Sequence, residues 1–439
     1  MVRRLLALGA VCLLLIGTAL AREAVAQPPA MPSGSAAQEG APPDAAGADD
    51  PGAQEVSQGD AAVVIDADAS VTSVVYASEN ADENAARVTG NVTALMQNIV
   101  VEKSGGTDSA ENCNFYGQNA GLLATDGASA TLWGAQVHTS GSGANGVFSY
   151  GEGTVITIAD STISTEMDNS GGILVTGGGT LIANDLTVDT QGASSAAIRS
   201  DRGGGTMTIH GGAYTSGGTG SPAIYSTAGI TVSNATLKAT ASEAVVVEGK
   251  NSVTLLDCDV TGDMQGTYGQ HSDENIHGVM IYQSMSGDAD VGRASFSMTG
   301  GSLTTLAGDL FYVTNTACDI QLSRVALTLA DGTLLTVAGN SSSRGRGEQG
   351  ENGGDCTLTT DGQTMSGVIT VDSISALMLT MRNGTAFTGT INPAGQAGDV
   401  TVTLDDTSTW TLTADAYITR LNGSADQVIA NGYVLHVSE

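Results

Sequence analysis

Positive charge is what this chain has least of. Its 439 residues carry 15 Lys+Arg against 46 Asp+Glu, a formal net charge of −31. That balance removes the usual electrostatic basis for binding nucleic acid or an anionic membrane. Aromatic residues are nearly as sparse, 5 Phe, 10 Tyr and 2 Trp, only 17 in the whole chain. No apolar run beyond the first 20 residues reaches the ~18 needed for a membrane-spanning helix. Cys113, Cys258, Cys318 and Cys356 show neither a C-x-x-C nor a Cys/His spacing, so no zinc site is expected. They read first as buried thiols, with one bridge between nearby segments as the alternative.

What the chain does have begins at the N-terminus. Arg3 and Arg4 precede an apolar run, Leu5 to Ile16, that is too short to span a bilayer. Ala19-Leu20-Ala21 supplies a small-residue cleavage site, so residues 1–21 are expected to be a signal peptide. Residues 22–60 hold most of the eight prolines and few large apolar side chains, which predicts a disordered acidic tether rich in Pro, Ala and Gly. The mature chain is then expected to be secreted or held at the cell surface, with no membrane insertion after cleavage.

Between residues 121 and 260 one unit recurs. Its leading apolar residues are Leu122, Val147, Ile173, Ile198, Ile224 and Val245, a step of about 25 residues that shortens once to about 21. Each unit holds short β-branched strands around a Gly-rich corner, such as Ile173-Leu174-Val175, Gly177-Gly178-Gly179, Thr180-Leu181-Ile182 and Leu186-Thr187-Val188. No single coil buries its own inner face, so the pattern predicts an all-β parallel β-helix whose coils stack at ~4.8 Å. The expected solenoid covers residues 61–395, with three short strands in each of about 13 coils. Loops are expected at 262–276 and 340–355. Residues 396–439 depart from the unit and read as a C-terminal capping element that blunts the last edge.

With offset zero at the leading apolar residue, offsets one and three point outward. Those two columns contain Phe148, Tyr150, Tyr225 and Tyr282, together with Arg199, Asp201 and Glu248, and Arg202 and Lys250 follow close behind. Aromatic faces beside charged groups suit a sugar ring, and stacked columns suit a polymer. A glycan or a host or matrix surface is the expected partner. The same stacks also support a rod without binding anything, with Arg199–Asp201 and Glu248–Lys250 as local pairs.

The runs SAAIRSDRGGGTMTIHGG, SPAIYSTAGITVSNATL, SEAVVVEGKNSVTL, YQSMSGDADVG and ENGGDCTLTTDGQ resemble a family of exported bacterial β-helix proteins of uncharacterised function. The closing STWTLTADAYITRL resembles adhesin and autotransporter passenger domains. The resemblance spans roughly residues 80–439 and implies a pectin-lyase-like, right-handed, single-stranded parallel β-helix. No alternating strands for a translocator barrel precede Glu439, so none is expected.

Three functions fit. The first is a non-catalytic, adhesin-like or polysaccharide-binding protein; the second is a polysaccharide lyase or glycoside hydrolase acting on acidic glycans; the third is a structural rod. The resemblance to pectin-depolymerising enzymes implies an Arg or Lys base, here Arg202 or Lys250, beside carboxylates such as Asp201, Glu248, the Asp288/Asp290 pair or the Asp405/Asp406 pair. None stands in a catalytic motif of that family. No cofactor is expected; Ca²⁺ has no motif, because the stretch GENGGD occurs only once.

Overall fold

The computed structural model describes residues 57–266, 275–341, 347–395 and 397–439. The expected signal peptide and residues 22–56 of the expected tether lie outside them. Ser57 to Asp60, the tether's last four positions, are part of the folded body. Arg87 donates to the carbonyls of Gln58, Gly59 and Asp60, and Asp60–Ala61 pairs with Glu83–Asn84.

A representative coil runs through Val147–Tyr150, Val155–Ala159 and Thr162–Thr165 before the next begins at Ile173–Thr176. Val147 is in parallel register with Leu122 on one side and Ile173 on the other. Repetition of this step builds parallel sheets of 15, 14 and 10 strands around one core. Period-two alternation supplies that core: in Val155–Ala159 the inward residues Ile156 and Ile158 are fully buried.

The turn from the second strand to the third begins with a residue at positive φ, followed by a second such glycine at Gly212 and Gly301. The positions are Ser73, Asn98, Gly134, Asp160, Asp185, Gly211, Asn234, Asp257, Gly300 and Arg324, and the column continues as Gly362 and Asn383. Gly, Asn and Asp tolerate this left-handed region best, which explains the choice at nearly every coil. At Gly211 packing adds a second reason, because a Cβ there would lie 1.9 Å from the Asp185 carboxylate. The longer return loop is tied down by stacked hydroxyls. Ser195 Oγ accepts from the Ser170 N–H at 2.9 Å, and Ser221 Oγ accepts from the Ser195 N–H at 2.8 Å. Buried backbone donors that no strand can satisfy are thereby paired.

Two expectations need correction. Among the described residues the third strand ends with Ala326–Thr328. Later coils use two long strands, such as Gly354–Asp361 and Thr364–Val371, joined through the positive-φ corner at Gly362. The ladder also runs into the expected cap. Asp399–Leu404 pairs with Ala376–Arg382, and Trp410 stacks on Phe387 with ring centroids 5.8 Å apart. Closure comes later, from Ala416–Ile418 paired with Leu435–Val437. The four cysteines are buried free thiols, as first read, and Cys318 and Cys356 are register neighbours in the core.

Replacing Ser195 with Ala leaves the buried Ser170 N–H without its acceptor and is expected to cost about 1–3 kcal/mol. Urea unfolding checks this, and an unshifted midpoint would show that the ladder is dispensable.

Candidate functional site

Register confirms the outward columns. Phe148, Leu174, Arg199, Tyr225, Val246 and Met280 are successive partners on the outer face of the 15-stranded sheet. They do not line an open groove. Phe148 and Leu174 are fully buried and pack with Ala120 and Leu123. The cover is the segment 104–120, which carries a π-helical turn at Asn112–Tyr116. It is held down where Asn145 Nδ2 donates to the Cys113 carbonyl (2.9 Å) and Thr176 Oγ1 to that of Phe115 (2.7 Å). At the other end Val246, Met280, Tyr282 and Tyr312 form a second small buried cluster. An aliphatic column on an outer face attracts an apolar loop, and sequence offsets cannot show which loop arrives. Residues 267–274 and 342–346 of the two expected loops lie outside the described residues.

Between these clusters the strip turns polar. Arg199 Nε donates to Asp201 at 2.7 Å and its Nη1 to the Ser194 carbonyl at 2.7 Å, with 11% and 5% of the two side chains exposed. This is one of the expected local pairs. Burial pushes the Asp201 carboxyl up to about 6 against the pull of Arg199, and Asp288 and Glu248 add to the rise. Glu248 is almost wholly buried and accepts from three hydroxyls: Tyr225, Tyr282 (2.8 Å) and Ser284. Burial holds the Tyr225 phenol well above its ordinary range.

The expected Glu248–Lys250 pair does not form. Gly249 takes φ +65°, so the chain turns out of the strip, and Lys250 Nζ meets the exposed Asp290 at 2.7 Å instead. Arg202 binds Asp288 through Nε (3.0 Å) and Nη2 (2.8 Å). The segment 283–292 thus holds both bases, two positions apart. The Arg202 guanidinium also lies over the Phe115 ring, 4.2 Å from its centroid. Tyr116 meets Tyr150 edge to face at 6.0 Å. Phe115 and Tyr116 border the candidate site, and the repeat did not reveal them. Two adjacent aromatics in so ring-poor a chain were the available signal.

The site splits accordingly. Phe148, Arg199, Asp201, Tyr225, Glu248 and Tyr282 are interior, whereas Tyr150, Arg202 and Lys250 reach the surface. Asp405 accepts from the Asn383 N–H (2.6 Å) and from Thr407 and Ser408, bonds that hold its carboxyl below the ordinary range and make it a turn-former. Among the described residues no group of three or more His, Cys, Asp or Glu could hold a metal ion, and no helix is long and apolar enough to cross a membrane.

Residues 97–296, which include the whole strip, match the family model for the right handed beta helix region. This stretch is a right-handed parallel β-helix. No curated protein and no solved structure matches the chain. The right-handed β-helix, with its coils in register, is therefore what positions the strip, and the segments 104–120 and 283–292 decide how much of it meets solvent.

A carboxyl whose folded pKa lies above its unfolded value of about 3.9 takes up a proton in the native state first. Asp201 therefore lends stability on acidification from about pH 6 to pH 4, and that contribution is lost as pH rises through about 6. Asp201→Asn is expected to flatten the urea midpoint over that window, and an unchanged pH profile would contradict the assignment.

Proposed function

We propose that this is a non-catalytic, adhesin-like β-helix protein, secreted or displayed at the cell surface, that binds glycan at the uncovered edge of the strip. The observation that carries the reading is the meeting of Tyr116, Tyr150 and Arg202 there. Two phenol rings stand edge to face at 6.0 Å, beside a guanidinium that Asp288 and Phe115 fix in place. Rigid ring faces offer a sugar its apolar side, and the neighbouring charged groups offer partners for its hydroxyls. Nothing in this arrangement needs a conformational change.

The state of the carboxylates supports a binding rather than a cleaving role. Asp201 is engaged by Arg199, and Glu248 by three hydroxyl donors. A general acid or base must reach the proton it moves, and neither group faces open solvent.

Glycan-array binding tests the proposal. Tyr150→Ala and Arg202→Ala are each expected to weaken retained signals about three- to tenfold, the size of an aromatic or cation contact. No retained glycan at all would favour a structural rod. Unsaturated uronate absorbance appearing on incubation with acidic polysaccharide would replace this reading with a lyase.

A further inference from the structure

A second feature lies on a different sheet. The outer face of the 14-stranded sheet carries an open cleft of about 320 Å³ late in the stack. Along it run Ser297, Gln321 and Thr359, which are register partners in successive coils. Arg324 and Arg382 border it, an unusual concentration in a chain with 15 basic residues.

Arg324 is the anomaly. It occupies the positive-φ corner, at φ 54°, where the other eleven coils described use Ser, Asn, Asp or Gly. A long L side chain is disfavoured in that region, and retained backbone strain clusters at binding sites. The corner aims the residue along the stack, so that its Cγ lies 3.9 Å from where a Cβ would stand on Gly362. Among the described residues Arg324 has no hydrogen bond or ion pair. Arg382 is only partly engaged: its Nε donates to Asp361 at 3.0 Å, and Asn383 Nδ2 takes the other oxygen of that carboxylate. Asp361 is thereby occupied and orients the second guanidinium.

We propose that this cleft binds an anionic oligosaccharide, with its acid group, a carboxylate or a sulfate ester, between Arg324 and Arg382 and its hydroxyls along the Ser297–Gln321–Thr359 row. Guanidinium forks recognise such planar or tetrahedral oxyanions through paired N–H bonds. The row supplies neutral donors and acceptors at ~4.8 Å intervals, a spacing that suits an extended polyhydroxylated chain better than a lone ion. The site is independent of the strip on the 15-stranded sheet and stands or falls without it.

The test is calorimetric titration of the full chain at low salt with three probes: a chondroitin 4-sulfate tetrasaccharide, unsulfated chondroitin of the same length, and inorganic sulfate. The intact protein is expected to bind at least one tetrasaccharide more tightly than inorganic sulfate, and comparison of the two sugars identifies the acid group. Arg324→Asn and Arg382→Ala should each weaken that binding roughly tenfold, the effect of losing a charged hydrogen bond. Arg324→Asn should also leave Tm unchanged or raised, because Asn suits the left-handed corner. Should Tm instead fall with binding, Arg382→Ala decides. Absence of sugar binding, sulfate bound as tightly as either sugar, or full binding by both variants would overturn the proposal. Arg202→Ala in the same titration reports separately on the strip, so failure of one site is distinguishable from failure of the other.

Discussion

The in-register parallel ladder is the constraint on which everything else rests. Each strand donates to and accepts from its counterpart one coil away, so each side chain sits directly beside the equivalent side chain of its neighbours. The rule acts identically on both faces of every sheet. Inward it makes columns of Val, Ile and Leu, and at corners it makes the column of left-handed residues. Outward it sets each side chain beside its register neighbour, so a charge pairs across a seam, as Arg382 does with Asp361, or within its own strand, or with a loop. Arg199 uses Asp201 two residues on, whereas Arg202 and Lys250 use a segment more than 30 residues away.

Loops therefore decide what the surface offers. The 15-stranded sheet presents both an aliphatic and a polar outer column, and covering segments have taken most of each. Phe148 and Leu174 lie beneath 104–120, and Glu248 is closed in by Tyr225, Tyr282 and Ser284. Such burial trades accessibility for rigidity: a carboxyl accepting three hydroxyls is well satisfied but touches no ligand. What escapes the cover is the Tyr116, Tyr150 and Arg202 edge, held by contacts from both covering segments.

Legibility followed the range of the interactions. The recurrence of Leu122, Val147, Ile173 and their successors was sufficient to read the coil, the register and the outward columns, because one repeat specifies its neighbour's position. The Arg199–Asp201 pair was legible for the same reason, being two residues apart on one face of a strand. The cover over Phe148 was not, since 104–120 obeys no period and its docking depends on contacts such as Thr176 to Phe115, 61 residues apart. Lys250 was misplaced by a single torsion at Gly249, which no alternation rule anticipates. The late loss of the third strand was likewise hidden, because apolar alternation looks the same in a coil of two long strands as in one of three short strands.

That change in cross-section has a mechanical side. The inter-coil hydrogen bonds run along the stack, so a pull on either chain end opens them a few at a time at the outermost coil instead of shearing a whole sheet. At the three-stranded end each detached coil pays out about 25 residues, roughly 85 Å of extended chain. Beyond Ala326–Thr328 each coil is held by two seams of longer strands in place of three. The rod is thus graded under load: three short seams part at each step from one end and two longer ones from the other, while the remaining coils keep their register.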